Sequence, residues 1–350
     1  MVKRFVFAVP GDLATPTGGY AYDRRMIAEL GDLGWQADLL GLGDGFPWPS
    51  EATRMAALTK LLEIPAGRAI IVDGLALGVL PEGAAQLAGR NPVLALVHHP
   101  LALEAGLSSE QADALRRSER AALSAVQGVI VTSAATARLV AAEYGVPAER
   151  ITIAKPGSDP APLAAGSRDG VVRLLSVGAV VPRKGFDVLI AALATLGDLA
   201  WQLTIAGDRT RDLNAAARLD ADIAGYALEN RVAVLGTVSP QHLATLYAEA
   251  DVFALASHFE GYGMAYAEAV THGLPVIGTT GGAIPDTVPS DASLLIPPGD
   301  MPALAKALRR VIGDSDLRQR LTDGARAAAP QFPTWRQSAE IFARKLEMLA

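Results

Sequence analysis

At 350 residues, 50% hydrophobic and 19% charged, the chain has apolar surface for two cores, which excludes disordered and fibrous classes. A formal charge of −6 argues against a general nucleic-acid or anionic-membrane coat. With no cysteine there is no disulfide framework, thiolate zinc site or cysteine nucleophile, which suits a reducing compartment.

The amino terminus, MVKRFVFAVPGD, places a short apolar run after a basic pair and predicts a first strand. It is too short for a signal-peptide core or a membrane span, and no later run approaches roughly 18 apolar residues. The expected location is cytoplasmic, with peripheral contact at the inner face of the membrane as the furthest extension. Short β-branched runs alternate with long alanine- and leucine-rich segments, the pattern of parallel strands covered on both faces by crossover helices. This predicts an α/β fold.

In chain order, strands are expected at Arg4 to Val9, Ala37 to Leu40, Ala69 to Val72, Val93 to Val97, Gly128 to Thr132 and Ile151 to Ala154. Helices fall between them, for example at Gly19 to Leu33 and at Ser108 to Ala125 with its serine cap. Lys155 to Gly170, KPGSDPAPLAAGSRDG, has the proline and glycine content of an interdomain linker. A second series follows at Val171 to Val177, Gln202 to Ala206, Val232 to Leu235, Val252 to Ala254, Val276 to Gly278 and Leu294 to Ile296. The reading is two Rossmann-like doubly wound domains, 1–165 and 170–330, facing each other across a cleft, with ligands beyond the carboxyl ends of the strands. A last helix, within 334–350, has no following strand and is expected to pack back across the domains.

The richest stretch is His258 to Val288, HFEGYGMAYAEAVTHGLPVIGTTGGAIPDTV. Gly261 and Gly263 break the chain after Glu260, so Glu260 belongs to a loop and Glu268 to the ensuing helix. The amides of Tyr262, Gly263, Met264 and Ala265 would stand unpaired at a helix start, a site for anionic or hydroxyl-rich ligands. Carboxylates accept from vicinal hydroxyls, as on a sugar ring or ribose. Taken alone, the two glutamates fit a solvated and a capping carboxylate equally well. In Ser176 to Leu193, SVGAVVPRKGFDVLIAAL, a strand leads to Arg183, Lys184 and then Gly185 before a helix. Two cations at a helix amino end would hold a diphosphate and stabilise charge building on it, although adjacent cations are more often surface residues.

Glu260, Glu268, the Gly273-Leu274-Pro275 turn and the Gly281-Gly282 turn together resemble the donor site of retaining glycosyltransferases of family 4, which have the GT-B fold. The resemblance extends over nearly the whole chain. It implies a hexose moved from a nucleotide diphosphate sugar, as co-substrate, to a lipid or saccharide hydroxyl, with no metal and no other cofactor. In that family the first glutamate contacts the transferred sugar, the second the ribose, and a lysine before glycine the diphosphate. Glu260, Glu268 and Lys184 take these places. Many relatives carry an arginine just after the glycine that ends this strand. Ala179 stands there, which would leave the charge to Arg183. Gly18 and Gly19 resemble paired glycines near the donor phosphates, and His98 the histidine lining the reaction centre. Gly207-Asp208-Arg209 and Gly236 to Ser239, including Val238, resemble loops around the base.

Other features are assigned outside that site. No G-x-G-x-x-G follows the first strand, which counts against nicotinamide binding. Asp220 and Asp222 spell D-x-D but fall in a helical segment, where residues two apart diverge by about 200° and cannot share an ion. No histidine and carboxylate cluster suggests another metal. His272 reads as structural. Leu101, Leu103 and Leu107, with Arg116, Arg117 and Arg120, are compatible with a lipid acceptor or with ordinary packing and a solvated helix. Two alternative functions remain: a sugar phosphorylase or nucleotide-sugar hydrolase on the same fold, and a non-catalytic sugar-nucleotide binding protein.

Overall fold

The computed structural model describes residues 3–104, 106–167 and 169–349. The chain divides into two units, one running to Gly157 and resuming at Pro333, the other spanning Ser158–Phe332. The boundary at Gly157 and Ser158 falls inside the Lys155 to Gly170 segment that composition marks as a linker.

The first unit is built on a parallel sheet ordered β2-β1-β3-β4-β5-β6. Its strands are β1 Lys3–Val9, β2 Trp35–Gly41, β3 Ile70–Asp73, β4 Val93–Val97, β5 Gly128–Val131 and β6 Ile151–Ile153. The central strands are buried end to end, as VLALV of β4 and GVIV of β5 show, because helices cover both faces. The second unit repeats the plan with the order β12-β11-β10-β7-β8-β9. Its strands are β7 Val172–Val177, β8 Trp201–Ala206, β9 Val232–Gly236, β10 Val252–Ala254, β11 Val276–Thr279 and β12 Ser293–Ile296. Its core gathers Leu174, Ile190, Trp201, Phe253, Tyr266 and Leu308.

The last helix, Trp335–Glu347, opens with a capping box between Thr334 and Gln337 and belongs to the first unit. Trp335 lies against Tyr22, ring centroids 6.0 Å apart, and Arg25 stacks over Trp335 at 5.2 Å. Coming after the second unit in the chain, this helix thus packs on elements of the first. Among the described residues no helix is long and apolar enough to cross a membrane.

Candidate active site

In each sheet the strand order reverses once, between β1 and β3 and between β7 and β10. Loops leaving the carboxyl ends of two such strands diverge and open a crevice. In the second unit those loops carry the predicted charges: Arg183 and Lys184 after β7, Glu260 after β10.

Pro182–Lys184 forms one tight helical turn, ended by Gly185 at φ 64°, which also starts the helix Phe186–Ala194. A Cβ at position 185 would lie 2.1 Å from the Ala256 carbonyl oxygen, so the two loops can touch only through glycine. His258 N–H donates to the Arg183 carbonyl at 2.8 Å and sets their register. Lys184 Nζ then lies 2.6 Å from Glu260 Oε1, and Arg183 Nη1 3.2 Å from Oε2. Arg183 Nη1 also donates to the Phe259 carbonyl at 2.7 Å, and the Ser257 hydroxyl to Glu260 Oε1 at 2.7 Å. Burial pushes the Glu260 carboxyl up, but Lys184 and Arg183 outweigh it and hold the value at about 2. Burial pulls Lys184 down, and Glu260 offsets only part of that. Residues that sequence spacing treats as separate contacts are one cluster, with two cations against one carboxylate.

Glu268 sits on the helix Met264–Thr271, opened by Gly263 with no side-chain cap. The first-turn residues Met264 and Ala265 are half-buried, while Tyr262 is buried and its carbonyl accepts from the Thr287 hydroxyl at 2.6 Å. Gly261 lies half-buried beside Glu260. The Tyr247 hydroxyl donates to Glu268 Oε2 at 3.0 Å and to the Ala265 carbonyl at 3.2 Å, and its ring stacks on His272 at 4.8 Å. His272 Nδ1 meets the Pro162 carbonyl at 2.9 Å, a structural role. Burial raises Glu268 to about 7, against the pull of the Tyr247 hydrogen bond.

This shift carries a testable sign. The folded chain binds the Glu268 proton more tightly than the unfolded chain, whose ordinary value is 4.5, so the associated stability is complete below pH 4.5 and lost as pH rises through about 7. Glu268→Gln mimics the neutral form. We expect it to melt several degrees above the native chain at pH 8 and level with it near pH 4.5 in thermal denaturation. A gap independent of pH would mean that the carboxyl titrates normally.

The loops after β8 and β9 carry Asp208 and Val238. Asp208 Oδ1 accepts the Thr210 amide and hydroxyl, both at 2.7 Å, while the Asp208 carbonyl accepts from Val180 N–H at 2.8 Å and ties this loop to the one bearing Lys184. Val238 is half-buried just before Ser239, which caps the helix Pro240–Glu249. Asp220 and Asp222 lie on the helix Leu213–Gly225, where Asp220 pairs with Arg209 at 2.5 Å.

In the first unit, His98 follows β4 and faces residues the sequence reading missed. Asp23, on the helix Gly18–Asp32, places Oδ1 3.2 Å from His98 Nε2, and Asp73 closes β3. Ligand-type atoms of these three side chains lie within 4.8 Å of one another, correcting the expectation that no histidine and carboxylate cluster exists. Gly18 is exposed at the helix start, whereas a Cβ on Gly19 would lie 3.3 Å from the His98 ring, so Gly19 makes room for that ring. His99 pairs instead with Glu104 at 3.2 Å. Arg116 pairs with Asp113 at 2.8 Å and Glu143 at 3.8 Å, so part of the charge of the Arg116, Arg117 and Arg120 group is neutralised within the unit.

Two family descriptions match the chain: glycosyl transferases group 1 over residues 164–328, and glycosyltransferase family 4 over residues 70–161. The chain belongs to the group 1 glycosyltransferases. It is similar to the D-inositol 3-phosphate glycosyltransferase of Xylanimonas cellulosilytica, 32% identical over 56% of this chain and 51% of that one. The MMP alpha-(1->4)-mannosyltransferase of Mycolicibacterium hassiacum is 25% identical over 84% and 74%. The chain spans about half the length of the D-inositol 3-phosphate glycosyltransferases it matches. Among solved structures, the sucrose-phosphate synthase of Thermosynechococcus elongatus superposes with a TM-score of 0.80 at 22% identity, covering 99% of both chains. Anabaena HepE in complex with UDP-glucose gives 0.78 at 20% identity, covering 98% of this chain and 99% of that one. The fold is GT-B.

Proposed function

We propose that this chain transfers a hexose from a nucleotide diphosphate sugar to a hydroxyl acceptor, with retention of anomeric configuration and without a metal ion. The observation that carries the reading is the buried cluster of Lys184, Arg183 and Glu260 at the β7/β10 switch, with Glu268 on the next helix. Two cations gathered on one carboxylate concentrate positive charge at this strand end, which suits a diphosphate that gains charge as its bond to the sugar breaks. The second unit holds the donor and the first the acceptor. Glu260 accepts from hydroxyls of the transferred sugar, Glu268 from the ribose, and His98 donates to sugar or phosphate oxygens. As the bond from the sugar's anomeric carbon to the diphosphate oxygen breaks, the acceptor oxygen bonds to the same face, and its proton passes to the departing diphosphate. No covalent intermediate on Glu260 is required, and its salt bridges make it a poor nucleophile.

Anabaena HepE, whose structure holds UDP-glucose, makes that donor the first to try, and the named relatives suggest inositol phosphates and sugar acceptors. The test is donor turnover, with the product's anomeric configuration read by NMR. An α-linked glycoside from UDP-glucose, formed equally well in excess chelator, is the expected result. Loss on chelation with restoration by magnesium or manganese would overturn the metal-free assignment. Sugar phosphate made only with added phosphate would identify a phosphorylase, free sugar alone a hydrolase, and donor binding without turnover a binding protein. A lipid acceptor would draw the first unit to a membrane surface.

A further inference from the structure

The first unit buries more charge than the proposed transfer uses. Asp23 is 0% exposed, and neither of its carboxylate oxygens has a hydrogen bond of good geometry. A buried ionised carboxylate is costly unless a cation or donor faces it. The group that does so is His98 Nε2 at 3.2 Å, on a side chain that is itself 21% exposed. Asp73 stands behind the pair, 3% exposed, with Oδ1 accepting the Leu75 amide at 2.7 Å. Three separate elements meet at the ring. The helix Gly18–Asp32 brings Asp23, the Gly19 backbone and the Tyr22 edge at a centroid distance of 5.4 Å, while β3 brings Asp73. Beyond β5, the Thr132 hydroxyl holds the His98 carbonyl at 3.2 Å.

We propose that Asp23, with Asp73 behind it, is the positioning residue for His98, fixing the ring through Nε2 and keeping it doubly protonated so that it presents a cationic N–H donor to substrate oxygens. The inference deepens the proposed transfer, because it rests on reading His98 as the substrate-facing group.

The electrostatics follow from the same packing. The titratable groups facing the ring are Asp23 and Tyr22 from the helix and Asp73 from β3. Tyr22 stays neutral, its hydroxyl donating to the Ala154 carbonyl at 2.9 Å while burial holds its proton on. Two buried carboxylates this close cannot both ionise beside a neutral imidazole without large repulsion. Burial and the Asp23 charge raise Asp73 to about 7, so it holds a proton near neutrality. Burial pulls His98 down, but Asp23 and then Asp73 outweigh it and leave the ring above its ordinary value. The trio carries no net charge when both ring nitrogens are protonated and Asp73 also holds a proton.

The direct test is ring nitrogen–proton NMR of the ligand-free chain, which has five histidines and allows assignment through His98→Gln. Both His98 nitrogens should be protonated at pH 6.5, with a midpoint above that value. Asp23→Asn should lower the midpoint by at least about one pH unit, because burial then acts unopposed by its nearest charge. Asp73→Asn should lower it less, and Asp23→Glu should keep most of the shift. With donor and acceptor, the alkaline fall of kcat/KM should move to lower pH by the same interval in Asp23→Asn. A neutral ring at pH 6.5 in the native chain overturns the proposal. So does an Asp23→Asn midpoint equal to the native one, or a divalent ion bound one-to-one with Nε2 unprotonated. Should Asp23→Asn fail to fold, the native titration and Asp73→Asn decide the matter. A correct ring titration with an unmoved pH profile would instead remove His98 from the substrate site, and absence of sugar transfer would leave the titration result standing.

Discussion

Glu260→Gln is expected to lower turnover by about 100-fold or more and to melt earlier than the native chain, while binding bare nucleotide diphosphate at least as tightly. The carboxylate is buried and bonded to Lys184, Arg183 and Ser257. Removing one partner of a buried ion pair costs about 3 to 5 kcal/mol when the charge left behind has no other compensation. Here part of that cost is relieved, because burial already draws Lys184 toward its neutral form and loss of the anion draws it further. Turnover suffers for a separate reason: glutamine keeps one acceptor for the sugar hydroxyls but neither positions the two cations nor matches the strength of a charged acceptor. The diphosphate tells the two effects apart. Removing the Glu260 charge makes the cluster more positive, so an incoming diphosphate meets a stronger attraction. Calorimetry with nucleotide diphosphate and steady-state kinetics with the full donor check this. A tenfold loss of bare nucleotide affinity would mean that Glu260 serves the nucleotide rather than the sugar.

Much of this arrangement was legible in the sequence because it follows from local rules. All twelve strands lie where the β-branched runs predict them, with ends shifted by a residue or two, since strands buried on both faces read as continuous apolar segments. Ser108 caps the helix Ser109–Ala125 through its predicted hydroxyl, and Glu260 and Glu268 occupy loop and helix as the glycine spacing requires. What escaped depends on distance in the chain. The pairing of Lys184 with Glu260 joins residues 76 positions apart, and only the adjacency of β7 and β10 brings them together. Asp23 carries a local sequence signal: it falls on the same face as Met26 and Leu30, the apolar stripe of its helix. A carboxylate on such a stripe demands a partner, although only the sheet order identifies it as His98. Glu119 presents the same pattern beside Leu115, Ala122 and Leu123, and accepts the Leu101 amide at 2.9 Å, just beyond His98 and His99.

Under the proposed transfer, the arginine beside that lysine shares in balancing the diphosphate. Ala179 stands where the family resemblance implies an arginine, so the resemblance assigns the missing charge to Arg183. The structure gives it a second task, since Nη1 holds the Phe259 carbonyl at 2.7 Å as well as Glu260. Arg183→Ala therefore removes a cation and a strut together. A charge-assisted hydrogen bond contributes about 1.5 to 3 kcal/mol, so turnover should fall at least tenfold and the melting temperature should drop as the Glu260 loop loosens. Adding Ala179→Arg in that background separates the two tasks. A guanidinium at 179 restores the charge count near the strand end but starts from a different loop position, so it cannot rebuild the bond to Phe259. Nucleotide diphosphate affinity should recover in the double variant while thermal stability stays low and turnover returns only in part. Recovery of all three would reduce Arg183 to a point charge. Native turnover in the single variant would return it to the surface role that adjacent cations commonly have and leave Lys184 as the side-chain cation that acts on the leaving group.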